Sequence, residues 1–149
     1  MIIKTKINPD TIKNLDIGQL DELVYNKASD IYLGTFGEKF KDTENDNLLK
    51  AVLATSVLDA EVRNGGFDQF FLNSDDLTDS ALVGLKEIRA DKHLDILNEA
   101  IKIFNEQKEQ FVEERNPNLT PCDDKYYELD DIDPLRQKFV FDNIEKFMD

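Results

Sequence analysis

Little in this chain is suited to metal or nucleophilic chemistry. It has one cysteine, Cys122, and one histidine, His93. A single cysteine excludes an internal disulfide and fits a reducing cytoplasm. A single histidine cannot build a His-rich metal site, and the H-E-x-x-H spacing that sets two ligands on one helical face is missing. Positive charge is scarce too: 18 bases stand against 32 acids, a net charge of −14 with a pI near 4.4. Such a surface repels phosphates and anionic membranes, so direct binding to nucleic acid or lipid is not expected. No apolar run approaches the ~20 residues of a membrane span. The start, M-I-I-K-T-K-I-N-P-D, lacks the apolar stretch of a signal peptide, which points to a soluble cytoplasmic protein. There is no glycine-rich phosphate loop, no G-x-S-x-G elbow, no calcium-loop pattern and no internal repeat. No metal or cofactor is expected.

What the chain does have is apolar helical pattern. With 149 residues and 40% hydrophobic content it has the means for one core, read as a single domain over 1–149. Residues 1–16 read as an irregular lead-in, with Ile2, Ile3 and Ile7 available for docking. Asp16 is placed to cap a helix over about 17–32, whose stripe is Leu20, Leu23, Val24, Ala28 and Ile31. Gly34 and Gly37 break that pattern, and Phe36 and Phe40 read as core contacts around the turn. The next helix starts near Asp46 or Asn47 and runs to about Arg63. It is apolar on most faces, which marks a buried central helix and obliges Asp59 to find donors. Further helices are read over 77–88, with Thr78 as N-cap, and over 91–114, with Leu94, Leu97, Ile101, Phe104, Lys108 and Phe111 on one line. Two prolines make N-P-N-L-T-P-C-D-D a loop, extending over 115–132. The last helix begins at Asp133-Pro134 and is lined by Leu135, Phe139, Ile144 and Phe147. Lys125 to Leu129 is the one candidate strand. The fold class is all-α, with five or six helices.

The isolated reactive side chains read as passive. His93 reads as a surface or capping histidine, and Cys122 as a loop residue whose acidic neighbours oppose a thiolate. The acids cluster instead. From Cys122 to Pro134, C-D-D-K-Y-Y-E-L-D-D-I-D-P holds six acids and one lysine. Asp42, Glu44 and Asp46 form a second group, and Asp75, Asp76 and Asp79 a third. Fixed carboxylates can imitate part of the charge array of a DNA duplex and accept charge-assisted bonds from an Arg/Lys surface. The partner-binding candidates are therefore Asp75, Asp76, Asp79, Asp123, Asp124, Glu128, Asp130, Asp131 and Asp133. Ordinary solvated acidic loops are the alternative, and part of the charge can serve solubility alone.

The most unusual stretch is E-V-R-N-G-G-F-D-Q-F-F-L-N-S, Glu61 to Ser74. Asn64-Gly65-Gly66 reads as a helix stop, with Gly65 in the left-handed position and Gly66 allowing a close turn. Phe67, Phe70 and Phe71 lie on one face of a short helix and would plug the core. Gln69 and Asn73 can satisfy backbone groups at the corner. Glu61 can bond to turn amides, Arg63 or Arg89. This run, with the following A-L-V-G-L-K-E-I-R-A and H-L-D-I-L-N-E-A-I-K-I-F, resembles a bacterial family of domains of unknown function. Its hallmark is Glu-Val-x-Asn-Gly-Gly-Phe-x-Gln-Phe-Phe-x-Asn. The resemblance covers about 48–104, and Tyr-Tyr-Glu-Leu-Asp-Asp resembles the family's tail. It implies an all-helical, acidic domain, dimeric in some members, and one member is described as a DNA mimic that binds a helix-turn-helix transcription factor. It implies no catalytic residue.

Three functions follow. The first is a non-enzymatic acidic protein that occupies the nucleic-acid site of a basic or DNA-binding protein. The second is an enzyme with Asp59, Glu61, Asn64 and Gln69 around a phenylalanine-lined pocket. The third is an acidic scaffold or immunity-type helical protein.

Overall fold

Capping side chains set several of the helix starts. In the computed structural model, which describes residues 3–149, Asn8 caps a single turn, α1 (Pro9–Ile12), by accepting from the amides of Asp10 and Thr11. Asp16 caps α2 (Ile17–Leu33) in a capping box with Gln19, and Gly34 closes it at φ 67°, a left-handed position that costs glycine little. Thr43 caps α3 (Glu44–Ser74) by accepting from the Asp46 amide. Then come α4 (Thr78–Glu87), α5 (Asp91–Gln107), α6 (Thr120–Tyr127) and α7 (Asp133–Asp142). Short 3-10 turns occupy Asp75–Leu77, Pro117–Leu119 and Ile144–Phe147. Among the described residues there is no strand, and the protein is all-α. Among the described residues six helices are longer than one turn, within the expected five or six, although α6 is not one of those read from the sequence.

The centre is α3. Leu49, Ala51, Val52, Leu53, Ala54 and Leu58 are buried, as a helix apolar on most faces requires. Its first half packs with α2, Ile7, Val140 and Phe147. Its second half packs with α4, α5 and α6 through Val62, Phe67 and Phe70. Tyr32, Val57 and Phe139 touch both clusters. Gly84 brings α4 against α3: a Cβ there would stand 2.5 Å from Thr55 Cγ2 and press on the Ala51 carbonyl.

Several expected boundaries move. The first half of α3 runs past Arg63 to Gly65 and breaks at Gly66, whose φ/ψ are not helical, and the phenylalanine-bearing half follows directly to Ser74. The lead-in contains α1, and Ile7 is buried while Ile3 is exposed; Ile2 lies outside the described residues. Thr78 is the first residue of α4, preceded by Leu77 as cap. The expected helix over 91–114 ends at Gln107, because Asn116 and Asn118 both donate to the Gln107 side chain and draw the chain away. Glu106, Glu109, Glu113 and Glu114 also oppose the negative end of a helix dipole there. Phe111 therefore lies beyond the helix. The expected loop over 115–132 holds a 3-10 turn and α6, so Lys125 to Leu129 is no strand. Its prolines, Pro117 and Pro121, sit in the first turns, where a missing N–H costs nothing. The last helix, α7, begins at Asp133 as expected, with Ile132 in the cap position, but Leu135 faces solvent.

Candidate functional site

The Asn-Gly-Gly corner is the kink at which the two helical halves of α3 meet, and it falls on the second glycine. Gly66 has φ 79° and ψ −179°, a conformation nearly restricted to glycine; Gly65 is not at positive φ. The bend breaks the hydrogen-bond ladder of α3, and distant residues repair it. Asp123 Oδ1 accepts from the Phe67 amide at 2.8 Å, acting as an N-cap 56 residues away. Tyr127 donates its hydroxyl to the Val62 carbonyl at 2.9 Å, and Arg115 donates to the Gly65 carbonyl. A Cβ on Gly66 would lie 2.8 Å from Asp123 Cγ, so the capping carboxylate needs that glycine. A Cβ on Gly65 would lie 2.6 Å from Gln69 Cδ.

Glu61 clasps the two halves across the bend. Its Oε2 accepts from Asn73 Nδ2 at 2.9 Å; twelve residues of straight helix would hold such groups roughly 18 Å apart. That partner replaces the expected turn amides, Arg63 or Arg89. Phe67, Phe70 and Phe71 are buried, as a plug should be. Phe67 meets the Tyr126 ring edge-on at 5.7 Å, and Phe71 stacks on Phe104 at 4.3 Å. Asp68, next to the bend, accepts from the Asn116 amide at 2.8 Å. Burial pushes the Asp123 carboxyl above the ordinary range, the Phe67 amide pulls it back, and Asp68 pushes it up again. Burial likewise raises Asp68, against the Asn116 amide and Arg115.

A polar seam runs from this corner to α7. Asp59 finds the donors its apolar helix demands: Arg63 Nε at 3.0 Å and the Tyr126 hydroxyl at 2.7 Å. Burial first, then the Asp59 charge, raise the Tyr126 pKa. His93 is buried, not a surface group; its ring meets Tyr126 edge-on at 5.2 Å. Its Nε2 lies 3.1 Å from the Asp130 carbonyl, which can only accept, so Nε2 carries hydrogen. Burial holds the imidazole below its ordinary pKa. Asp59, Asp131 and Asp133 bring carboxylate oxygens within 4.8 Å of one another. Two of the three already have cations, Arg63 on Asp59 and Arg136 on Asp133 at 2.8 Å. Arg136 also binds Asp21 on α2 through Nε at 3.1 Å and Nη2 at 2.9 Å. Cys122 lies buried on α6, not in a loop, and burial pushes its thiol up to about 11, with Glu99 adding to the rise.

The acidic candidates divide. Asp75, Asp76, Asp79, Asp124, Glu128, Asp130 and Asp131 are exposed; Asp133 is half-buried on Arg136, and Asp123 is buried as the cap of the bend. Asp123 is thus no surface carboxylate. Asp130 and the group Asp75, Asp76 and Asp79 stand at opposite ends of α5. Asp130 meets His93, whereas Asp75, Asp76 and Asp79 share a cleft with Asn105, about 18 Å further along the helix axis. Asp76 accepts from the Tyr32 hydroxyl at 2.8 Å, and burial with that bond takes Tyr32 up to about 12. The polar groups of the enzymatic alternative do not converge: Asp59 faces Tyr126, Glu61 faces Asn73, and Gln69 covers Gly65.

Arg115, Tyr127, Asp68 and Arg136 carry much of this architecture and had no signal in the sequence as site residues. The bend and seam define an all-helical domain organised around two helical halves joined at the Gly66 kink, with α6 as the clamp on the bend. The chain belongs to the DMP19-like protein family, whose model matches residues 45–146 and so takes in both the bend and its clamp. No curated protein and no solved structure matches the chain. No helix among the described residues is long and apolar enough to cross a membrane.

Proposed function

We propose that the chain is a non-enzymatic acidic binding protein whose carboxylates occupy the nucleic-acid-binding surface of a basic partner such as a transcription factor. The carrying observation is the run 124–131. Asp124, Glu128, Asp130 and Asp131 are exposed on or beside a clamped helix, and the one base in that run, Lys125, is held by Glu99 at 3.1 Å. Carboxylates fixed in this way need little ordering on binding, and they can take charge-assisted bonds from Arg and Lys side chains that otherwise meet phosphates. Asp75, Asp76 and Asp79 add a second acidic patch. Membership of the DMP19-like family supports the reading, given the DNA mimic among the proteins the motif resembles. A single domain over 1–149, a cytoplasmic location and pairing of two copies belong to the same proposal.

The test is capture from a bacterial extract at roughly 50 mM salt, where charge attraction is weakly screened. The expected result is a DNA-binding protein that competing duplex DNA displaces. A variant with Asp124→Asn, Glu128→Gln, Asp130→Asn and Asp131→Asn should lose it. Asp123 and Asp133 stay intact because they brace the fold. Capture of no basic protein at low salt would overturn the proposal, and an unchanged affinity in the quadruple variant would leave an acidic scaffold in its place.

A further inference from the structure

A groove of about 660 Å³ lies between the part of α3 beyond Gly66 and the segment 108–115 that follows α5. The stacked rings of Phe71 and Phe104 form its floor, with Phe111 beside them. Leu72 and Val112 line it and are 82% and 77% exposed. A single exposed Leu or Val is ordinary, but two bordering one groove over aromatic rings make a contiguous apolar seat.

Charge selects what sits there. Asp68, Glu109, Glu113 and Glu114 stand around the groove against two bases, Lys108 and Arg115. Lys108 is drawn over the Phe104 ring, 5.8 Å from its centroid, and Arg115 is turned onto the Gly65 carbonyl. Both cations are thereby engaged with the protein itself. An incoming segment meets an apolar floor and an acidic rim.

We propose that this groove docks an apolar and basic segment of a partner protein, with bulky apolar side chains against Leu72, Phe111 and Val112 and Lys or Arg to either side. Leucines at i, i+3, i+4 and i+7 of an amphipathic helix meet that description. The proposal does not rest on nucleic-acid mimicry, which uses the carboxylates of 124–131 and needs no apolar contact.

Three synthetic peptides of about 14 residues, long enough to sample helix, test it on the full chain by fluorescence polarisation. One carries leucine at helical spacing among lysines, one replaces each leucine by glutamine, and one replaces each lysine by glutamate. The Leu/Lys peptide should bind at least about tenfold tighter than either control. Leu72→Ser with Val112→Ser should abolish that advantage while leaving the melting temperature in place, since both side chains face water. The quadruple variant at 124, 128, 130 and 131 should keep it, so loss of mimicry and loss of the groove are told apart. Equal binding of the Gln/Lys peptide would reduce the effect to charge, and equal binding of the Leu/Glu peptide would remove the basic requirement. Unchanged affinity in the Leu72/Val112 variant would place the seat elsewhere. Each of these three results overturns the proposal.

Discussion

Gly65 and Gly66 are neighbours in sequence with different obligations. Gly66 holds a positive φ and stands against the Asp123 carboxylate, whereas a Cβ on Gly65 meets the side chain of Gln69, whose far end can swing away. Gly66→Ala should therefore destabilise by about 3 kcal/mol or more, from backbone strain plus the lost cap. Gly65→Ala should cost about 1 kcal/mol or less, since alanine favours helix. Urea denaturation of the two variants measures this, and equal losses would mean that the bend is not fixed by Gly66. His93 gives a second prediction at this scale. Its folded pKa lies below the unfolded one because burial disfavours the imidazolium. A base depressed in this way contributes stability above its unfolded pKa, and that stability is lost as pH falls through that value towards the folded one. From pH 7 to about pH 5.5, the wild type should therefore lose more stability than His93→Gln. Parallel pH profiles for the two proteins would contradict the burial of His93.

Between elements, Arg136 ties α7 to α2 through Asp21, with both side chains 9% exposed. A buried pair is costly to break and less costly to replace. Arg136→Met alone should destabilise by about 3 kcal/mol, since it strands the Asp21 carboxylate. Asp21→Leu with Arg136→Met should recover most of that loss, because two apolar groups leave no buried charge behind. A double-mutant cycle in denaturant checks it, and additive losses would show that the two residues do not depend on each other. This pair also shows what the sequence conceals. Helix periodicity reveals α2, the buried first half of α3, and α4, because those patterns are local and their faces meet the core. The phenylalanine plug is equally legible from its i, i+3, i+4 spacing. But Asp21 and Arg136 are 115 residues apart, and Asp123 caps Phe67 across 56; no local spacing encodes either contact. The same holds for α6. Pro117 and Pro121 read as breakers, yet Pro117 opens the 3-10 turn that Asn116 caps by accepting from the Asn118 amide, and Pro121 falls in the first turn of α6. The acids were legible as charge, yet burial alone separates Asp123, a structural cap, from Asp124, a free carboxylate.

At the scale of the whole molecule, one quantity bears on both stability and the proposed recognition: the net charge of −14. Like charges on a compact surface repel, and unfolding relieves them by spreading the chain. Salt shortens the reach of that repulsion, to about 10 Å at 0.1 M and about 3 Å at 1 M. The melting temperature should therefore rise by a few degrees as salt goes from about 0.01 M to about 0.5 M, a gain of about 1 kcal/mol. Binding to a basic partner through the carboxylates should move the other way and weaken steeply over the same range. The opposite signs are what make the pair of measurements decisive. Weaker binding at high salt means little if the fold is also failing, but weaker binding to a fold that has become more stable can only reflect loss of charge attraction. Calorimetry for the protein alone and a salt titration of the captured complex give both curves. Binding that holds its strength at 0.5 M while the fold strengthens would show that the acidic surface is not what the partner reads.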